Sequence, residues 1–134
     1  MTETLKIQRR FLPIDEQKVD KNTLTFSFSS EAPVKRYFGD EILDHDERSI
    51  DFSRLNGNAA PLLFNHDPNI VLGKVQKAWV ENKRGKATIK WASNAKAKEV
   101  RADVESGILE SISVGYVVNE MESGEGDSMR ATSW

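Results

Sequence analysis

The sequence contains no cysteine, and this absence removes several kinds of chemistry. It excludes disulfide bonds, thiolate metal sites and a cysteine nucleophile. Histidine is scarce as well, because His45 and His66 are the only two in the chain. A usual zinc site would need both histidines together with carboxylates, and nothing in the sequence has that spacing. We therefore expect no metal site of this kind.

Long apolar runs and a strong excess of one charge are also lacking. No apolar run approaches the about 20 residues that span a bilayer, and the N-terminal stretch MTETLKIQRRF has no apolar core of a signal peptide. The 19 basic and 21 acidic residues give a net charge of −2, so electrostatics does not favour nucleic acid or a membrane as a partner. We expect neither partner, and we expect the chain to stay in the cytoplasm in which it is made.

The remaining composition is that of a soluble globular protein. A chain of 134 residues is long enough for a real core, and 38% apolar with 30% charged residues is an ordinary balance. We therefore treat residues 1–134 as a single domain. Its last part, residues 119–134, is acidic and rich in glycine, and we expect it to be mobile.

Alternation of apolar and polar residues predicts strands in the first quarter of the chain. One is expected from Leu5 to Phe11, stopped at Pro13, and a clearer one over NTLTFSFSS, with a polar connection between them. The next part, residues 31–58, loses the alternation. We predict a long excursion there, with a short strand at Glu41–Leu43 and a helical turn near residues 51–55.

The middle of the chain predicts a hairpin followed by a helix. Residues 70–92 alternate on both sides of the turn ENKRG, and Gly73 indicates a bulge or a close approach of two backbones. The stretch SNAKAKEVRADVESG, about residues 94–106, predicts the one main helix, with Gly107 just past its end. The expected fold class is α+β and mainly β, a barrel of mostly antiparallel strands with this helix packed on it.

The stretch GILESISVGYVV, which follows the helix, predicts a strand with one face of small residues. Ser111, Ser113 and Gly115 share that face. A serine nucleophile needs a base beside it, and His66, at the end of the apolar run PLLF, is the more suitable of the two histidines. Backbone N–H groups after Asp67 or near Gly115 are candidates for the oxyanion hole. The pattern alone equally suits hydroxyl groups bonded to backbone and a histidine with polar neighbours.

Five stretches in a fixed order resemble the prohead proteases of tailed bacteriophages, capsid-maturation serine proteases related to herpesvirus assemblins. They are FSFSSEAPVKRYFGDEILDH, SIDFSRLN, APLLFNHD, IVLGKV, and the helix with GILESISVGY. The resemblance extends from about Lys21 to the end of the chain. It implies an assemblin-like barrel that cleaves peptides, with His66 as the catalytic base and Ser113 as the nucleophile. Ser111 is the alternative nucleophile if the register is shifted.

The resemblance also implies partners and a place of action. The substrates would be the phage scaffold protein, the capsid protein precursor and the protease itself, inside the prohead that assembles in the host cytoplasm. By analogy with the assemblins, it suggests a homodimer. No cofactor is implied.

The third member of a catalytic triad stays open. Assemblins use a second histidine after the serine, and no histidine follows His66 in this chain. An acidic residue would have to serve, with Asp67 as the adjacent candidate. Similar proteins continue into a further strand that carries a glutamate, whereas this chain ends at Trp134, which we expect to be exposed. We therefore expect the chain to be truncated and to lack one or more C-terminal strands; if the orienting acid lies there, the fragment is expected to be inactive or unstable.

Two other functions remain compatible with the sequence. One is a catalytically inactive assembly or scaffold component of the prohead with the same fold. The other is an unrelated β-rich binding module in which Ser113 and His66 lie far apart. Catalysis predicts about 2.6–3.2 Å between Ser113 Oγ and the His66 ring, or somewhat more without substrate.

Overall fold

A computed structural model describes residues 7–13, 18–20, 22–57, 60–109 and 111–134, but not the side chains of residues 11–13, 18–20, 113 and 114. The described residues form eleven strands and two helices. The strands are β1 (Gln8–Pro13), β2 (Lys18–Asp20), β3 (Thr23–Ser30), β4 (Val34–Arg36), β5 (Gly39–Leu43), β6 (Pro61–Phe64), β7 (Asp67–Glu81), β8 (Arg84–Trp91), β9 (Ser111–Tyr116), β10 (Glu120–Ser123) and β11 (Met129–Ser133). The helices are α1 (Ser53–Asn56) and α2 (Ala95–Glu105).

The largest sheet is antiparallel and curls into a half-barrel. Its strand order is β2-β3-β8-β7-β6, and β7 and β8 form the long hairpin expected over residues 70–92. Alternation along β3 and β8 buries one face of the sheet, against which α2 packs. The resulting main core contains Leu24, Phe26, Phe28, Ala60, Leu72, Val75, Ala78, Ala87, Ile89, Trp91, Ala97, Val100 and Val104.

Helix α2 has the boundaries that its sequence predicts. The Asn94 side chain accepts a hydrogen bond from the Ala97 N–H at 2.8 Å, which caps the first turn. Gly107, just past the last turn, has a φ of 79°, a conformation that glycine adopts without strain. The buried residues Ala97, Val100 and Val104 form the predicted apolar stripe.

The remaining strands form two smaller sheets. A four-stranded sheet has the order β10-β11-β5-β4, in which β11 runs parallel to β5. Strands β1 and β9 pair as an antiparallel ribbon, with Phe11 opposite Ser113. A second core of Leu43, Ile50, Tyr116, Ala131 and Trp134 joins the four-stranded sheet to the end of β9.

Several expectations for the ends of the chain need correction. The predicted connection after Pro13 contains β2. The excursion contains β4 besides the expected strand, which is β5, and the expected helical turn, which is α1. Trp134 is buried rather than exposed, because its ring packs against His45 and Tyr116 in the second core. Residues 119–134 include β10 and β11, strands that the pattern did not predict, and their mobility stays a prediction. Leu5, Lys6 and Glu110 of the predicted strands lie outside the described residues.

The C-terminal end of the long excursion is anchored to the main sheet. Its chain runs from β5 through α1, which packs against β7. The Asn56 side chain bonds both the N–H and the carbonyl of Ala78 in β7, at 2.8 and 3.1 Å. None of the helices that the structure describes is long and apolar enough to cross a membrane.

Candidate active site

Ser113 lies in the middle of β9, between one residue that packs against the main core and another that belongs to the second core. Ile112, the preceding residue, packs against the main core, and Tyr116, three residues on, belongs to the second core. The backbone of Ser113 pairs with β1, whereas its side chain lies outside the described residues. Ser111, the alternative nucleophile, is exposed at the start of the strand.

His66 lies in the two-residue turn between β6 and β7. Asn65 and His66 both have positive φ angles, of 53° and 56°, which is the backbone of a type I′ hairpin turn. Asparagine and histidine adopt this conformation more readily than most residues. The His66 side chain is half-buried. Phe64, two residues earlier, packs against the main core and lies 4.4 Å from the Lys96 ammonium group of α2.

The two candidate catalytic residues are therefore carried by elements that share one core. Phe64 on the His66 side and Ile112 on the Ser113 side both pack against the main core. The distance from Ser113 Oγ to the His66 ring involves a side chain outside the described part of the chain. The pairing of Ser113 with His66 thus stays a prediction.

The backbone after Asp67 differs from the oxyanion-hole region that the sequence suggests. The Asp67 carboxylate accepts a hydrogen bond from the Asn69 N–H at 2.9 Å, a local turn common for aspartate. That N–H is therefore already occupied, and residues 67–69 belong to β7 rather than to a loop. The other proposed oxyanion region, at Gly115, is exposed on β9 opposite Arg9.

A serine–histidine pair that the sequence did not predict lies away from these residues. Ser29 Oγ is 2.8 Å from His45 Nε2, and His45 Nδ1 is 2.8 Å from the Leu43 carbonyl oxygen. The carbonyl can only accept, so Nδ1 carries the proton and Nε2 accepts from the Ser29 hydroxyl. The His45 side chain has no exposed surface. This pair therefore holds β3 to β5 and is closed to a substrate.

Charged groups surround the buried His45. The Glu31 carboxylate accepts a hydrogen bond from the backbone N–H of His45. Arg130 donates a hydrogen bond of 2.7 Å to the carboxylate of Asp44, the residue before His45. Burial lowers the pKa of His45, although the Leu43 carbonyl, Glu31 and Asp44 oppose the effect. A hydrogen bond from Ser49 is the main cause that lowers the pKa of Asp44. His45 is thus held neutral in a site that resists its protonation.

A second buried polar cluster fixes the strand that carries Ser113. Arg10 Nε donates to Tyr116 Oη at 3.0 Å, and its Nη2 donates to the Glu41 carboxylate at 2.9 Å. The Tyr116 hydroxyl donates to the same carboxylate, while a further Arg10 N–H bonds the Ala32 carbonyl at 2.7 Å. Burial, with the Glu41 carboxylate as a second cause, raises the pKa of Tyr116.

This Arg10–Glu41–Tyr116 cluster joins β1, β5 and β9, so it sets the position of the ribbon against the four-stranded sheet. Its three members come from distant parts of the sequence. The available signal was weak: an arginine and a glutamate inside otherwise alternating strands, and a tyrosine three residues after the candidate serine. Among the described residues, no three or more His, Asp and Glu side chains converge as metal ligands.

The described residues form a mainly β domain that carries His66 in a hairpin turn and Ser113 on a strand. Residues 18–133 match the family model of the caudovirus prohead serine proteases. This match covers most of the chain and includes both His66 and Ser113. The chain belongs to the caudovirus prohead serine protease family.

One curated relative is the major capsid protein of Halomonas phage phiHAP-1. It is 39% identical over 116 residues, which cover 81% of this chain. The chain spans only 19% of the length of that relative. No solved structure matches the chain.

Proposed function

We propose that this chain is a serine endopeptidase of phage head maturation. The observation that carries the proposal is the family match over residues 18–133, which includes a serine and a histidine on elements packed against one core. An assemblin-like barrel, a homodimer and action inside the prohead belong to the same proposal. The proposed substrates are the scaffold protein, the capsid protein precursor and the protease itself.

The proposed mechanism is acyl transfer through Ser113. The His66 ring takes the proton from the Ser113 hydroxyl as the oxygen attacks the peptide carbonyl. The protonated ring then gives that proton to the leaving amine, and an acyl-enzyme remains. Water, deprotonated by the same ring, releases the acid and restores the serine. No metal ion or cofactor is needed for these steps.

The group that orients His66 stays open in this mechanism. Asp67 is the proposed candidate, and its carboxylate also accepts a hydrogen bond from the Asn69 N–H. If Asp67 also orients the ring, Asp67→Asn lowers the cleavage rate with little effect on substrate binding. An unchanged rate would assign the role to another acid.

The similarity to a capsid protein favours a second candidate function. That relative is a major capsid protein, and this chain resembles less than a fifth of it. A catalytically inactive assembly component of the prohead would fit the same fold. Membership of the protease family sets aside the remaining alternative, an unrelated β-rich module.

Co-expression separates the enzyme from the inactive component. The protein is produced together with the capsid and scaffold proteins of its phage, as wild type and as Ser113→Ala, Ser111→Ala and His66→Ala. We expect cleavage in the wild type and Ser111→Ala, and none in the other two. Cleavage that persists in Ser113→Ala would assign another nucleophile, and no cleavage in any form would favour the inactive component.

A further inference from the structure

An aromatic pair is exposed at the tip of the β4–β5 hairpin. Tyr37 is 101% exposed and Phe38 is 36% exposed, and their rings meet edge to face at a centroid distance of 5.2 Å. The fold therefore gains almost nothing from the Tyr37 ring. Tyrosine is among the residues enriched at the centres of protein interfaces.

Acidic residues lie beside this tip. The β10–β11 loop approaches Gly39 so closely that a side chain at Gly39 would overlap the Asp127 carbonyl. Asp127 and Glu125 of that loop are exposed. We call Tyr37, Phe38 and Asp127 the acidic aromatic tip.

An open depression of complementary character lies on the half-barrel sheet. Its volume is about 210 Å³, and its lining consists of Val71, Gly73, Lys74, Lys90, Trp91 and Ala92. A cavity of about 150 Å³ can hold a benzene ring, so this depression has room for one aromatic side chain. We call these six residues the lysine-flanked depression.

The two lysines of the depression have unfavourable surroundings. Lys74 and Lys90 stand directly opposite each other in the β7–β8 ladder, and both are exposed. Like charges in such a pair destabilise a sheet. Within the described part of the chain, no carboxylate lies within ion-pair distance of either. A negative charge placed between them would relieve this repulsion.

The small net charge of the chain conceals two regions of opposite sign. Residues 70–92 contain six basic and one acidic residue, a net charge of +5. Residues 31–57 and 117–134, which contain the four-stranded sheet, carry eleven acidic and five basic residues, a net charge of −6. Each copy thus presents both halves of a complementary pair.

We propose that the acidic aromatic tip of one copy docks into the lysine-flanked depression of a second copy. The Tyr37 ring occupies the apolar floor, and Asp127 approaches Lys74 and Lys90. This contact is heterologous, because it joins two different surfaces, and a bound pair as a whole keeps one tip and one depression free. It is independent of the proposed peptidase activity.

The association is expected to be weak and sensitive to salt. Exposed ion pairs contribute little individually, and the Debye length falls from about 10 Å at 0.1 M salt to about 3 Å at 1 M. Sedimentation equilibrium should show a mass that rises with protein concentration at low salt. We expect the dissociation constant to rise at least tenfold at 1 M salt.

Two variants test the proposed geometry. The depression variant combines Lys74→Glu with Lys90→Glu, and the tip variant combines Tyr37→Ser with Asp127→Lys. Each variant alone should lose this salt-sensitive association. Mixed together they should form a 1:1 dimer that grows no further, because only the tip of the first and the depression of the second are intact.

A matched control changes the same amount of charge elsewhere. Arg48→Glu combined with Arg54→Glu alters two exposed cations that line neither surface, and it should associate like the wild type. Circular dichroism shows whether each variant is folded.

Three results would overturn the proposal. One is a wild type that stays monomeric up to about 1 mM protein, a concentration that would reveal even millimolar affinity. Another is salt-sensitive association that survives in either variant alone, which would assign the contact to a different surface. The third is a depression that binds a Glu-rich peptide probe while copies of the chain do not associate.

Discussion

At the level of single residues, a few buried polar side chains join the sheets of this protein. His45 bonds β3 through Ser29, and Arg10 and Tyr116 meet at the Glu41 carboxylate. Such groups are costly to bury unless they are fully paired. The described contacts provide those pairs, so the loss of one member should be far more costly than the loss of an exposed counterpart.

Acid should destabilise the folded protein through His45. Burial lowers the pKa of His45 in the folded state, whereas the unfolded chain titrates near the ordinary value of about 6.5. Below pH 6.5 the unfolded state therefore binds more protons. The free energy of unfolding then decreases as the pH is lowered, by at most about 1.4 kcal/mol per pH unit for one histidine. Above pH 6.5 this contribution is fully present. Urea unfolding between pH 5.5 and 7.5 measures the slope.

The variant His45→Gln isolates this effect. It should unfold more easily at pH 7.5, because the paired ring is gone, but its stability should depend less on pH between 5.5 and 6.5. Asp44, next to His45, also has a shifted pKa. That pKa is lowered from 3.8, so Asp44 affects stability only at a more acidic pH than His45 does. An identical slope in His45→Gln and in the wild type would contradict the assignment.

The two tyrosines of the chain form a natural matched pair. Tyr116→Phe removes the hydroxyl that bonds Arg10 and Glu41 inside the protein, and we expect a loss of about 1–3 kcal/mol in the free energy of unfolding. Tyr37→Phe removes a hydroxyl that is fully exposed and should change stability by less than about 0.5 kcal/mol. Equal effects of the two substitutions in urea unfolding would show that the buried cluster contributes nothing.

At the level of secondary-structure elements, local pattern and backbone geometry determine the β7–β8 hairpin and α2. Gly73 fulfils the expectation of a close backbone approach, since a side chain there would overlap the Lys90 carbonyl oxygen. Gly115, on β9, differs, because the nearest atom to an added Cβ would be Ile7 Cγ2 at 3.6 Å. A side chain is thus sterically excluded at Gly73 but not at Gly115.

Alanine at these two glycines should therefore have opposite effects. Gly73→Ala forces the β7 and β8 backbones apart, and we expect a loss of about 1–3 kcal/mol. Gly115→Ala meets only ordinary contacts and should leave stability unchanged or raise it by about 0.5–1 kcal/mol. Thermal unfolding of both variants measures the difference, and a tolerated Gly73→Ala would contradict the close approach.

The sequence predicts those features that depend on interactions between residues close together along the chain, and it misses those that depend on distant residues. The hairpin over residues 70–92 and the cap at Asn94 depend on neighbours along the chain, so alternation and capping residues predict them. Strand β11 depends on pairing with β5, whose residues are nearly 90 positions earlier, and β10 pairs with β11. The composition of both strands resembles that of a loop. The burial of His45 and Trp134 depends on the same distant pairing, so the charged run around His45 concealed it.

At the level of the whole molecule, the arrangement of the candidate site also depends on residues that are distant in the sequence, so local patterns cannot predict it. The sequence assigns Ser113 to a strand and His66 to the end of an apolar run, and both assignments hold. Which serine faces which histidine depends on how the β1–β9 ribbon sits on the main core. The Arg10–Glu41–Tyr116 cluster, which no local pattern could indicate, fixes the same ribbon against the four-stranded sheet.

The proposed activity depends on a serine oxygen that a histidine makes nucleophilic. Treatment of the folded protein with a fluorophosphonate, followed by peptide mass spectrometry, identifies the residue that reacts. We predict an adduct on Ser113 in the wild type, at a rate reduced by at least a hundredfold in His66→Ala, and an unchanged rate in Ser111→Ala. An adduct on Ser111, or labelling of Ser113 that does not depend on His66, would contradict the proposed catalytic pair.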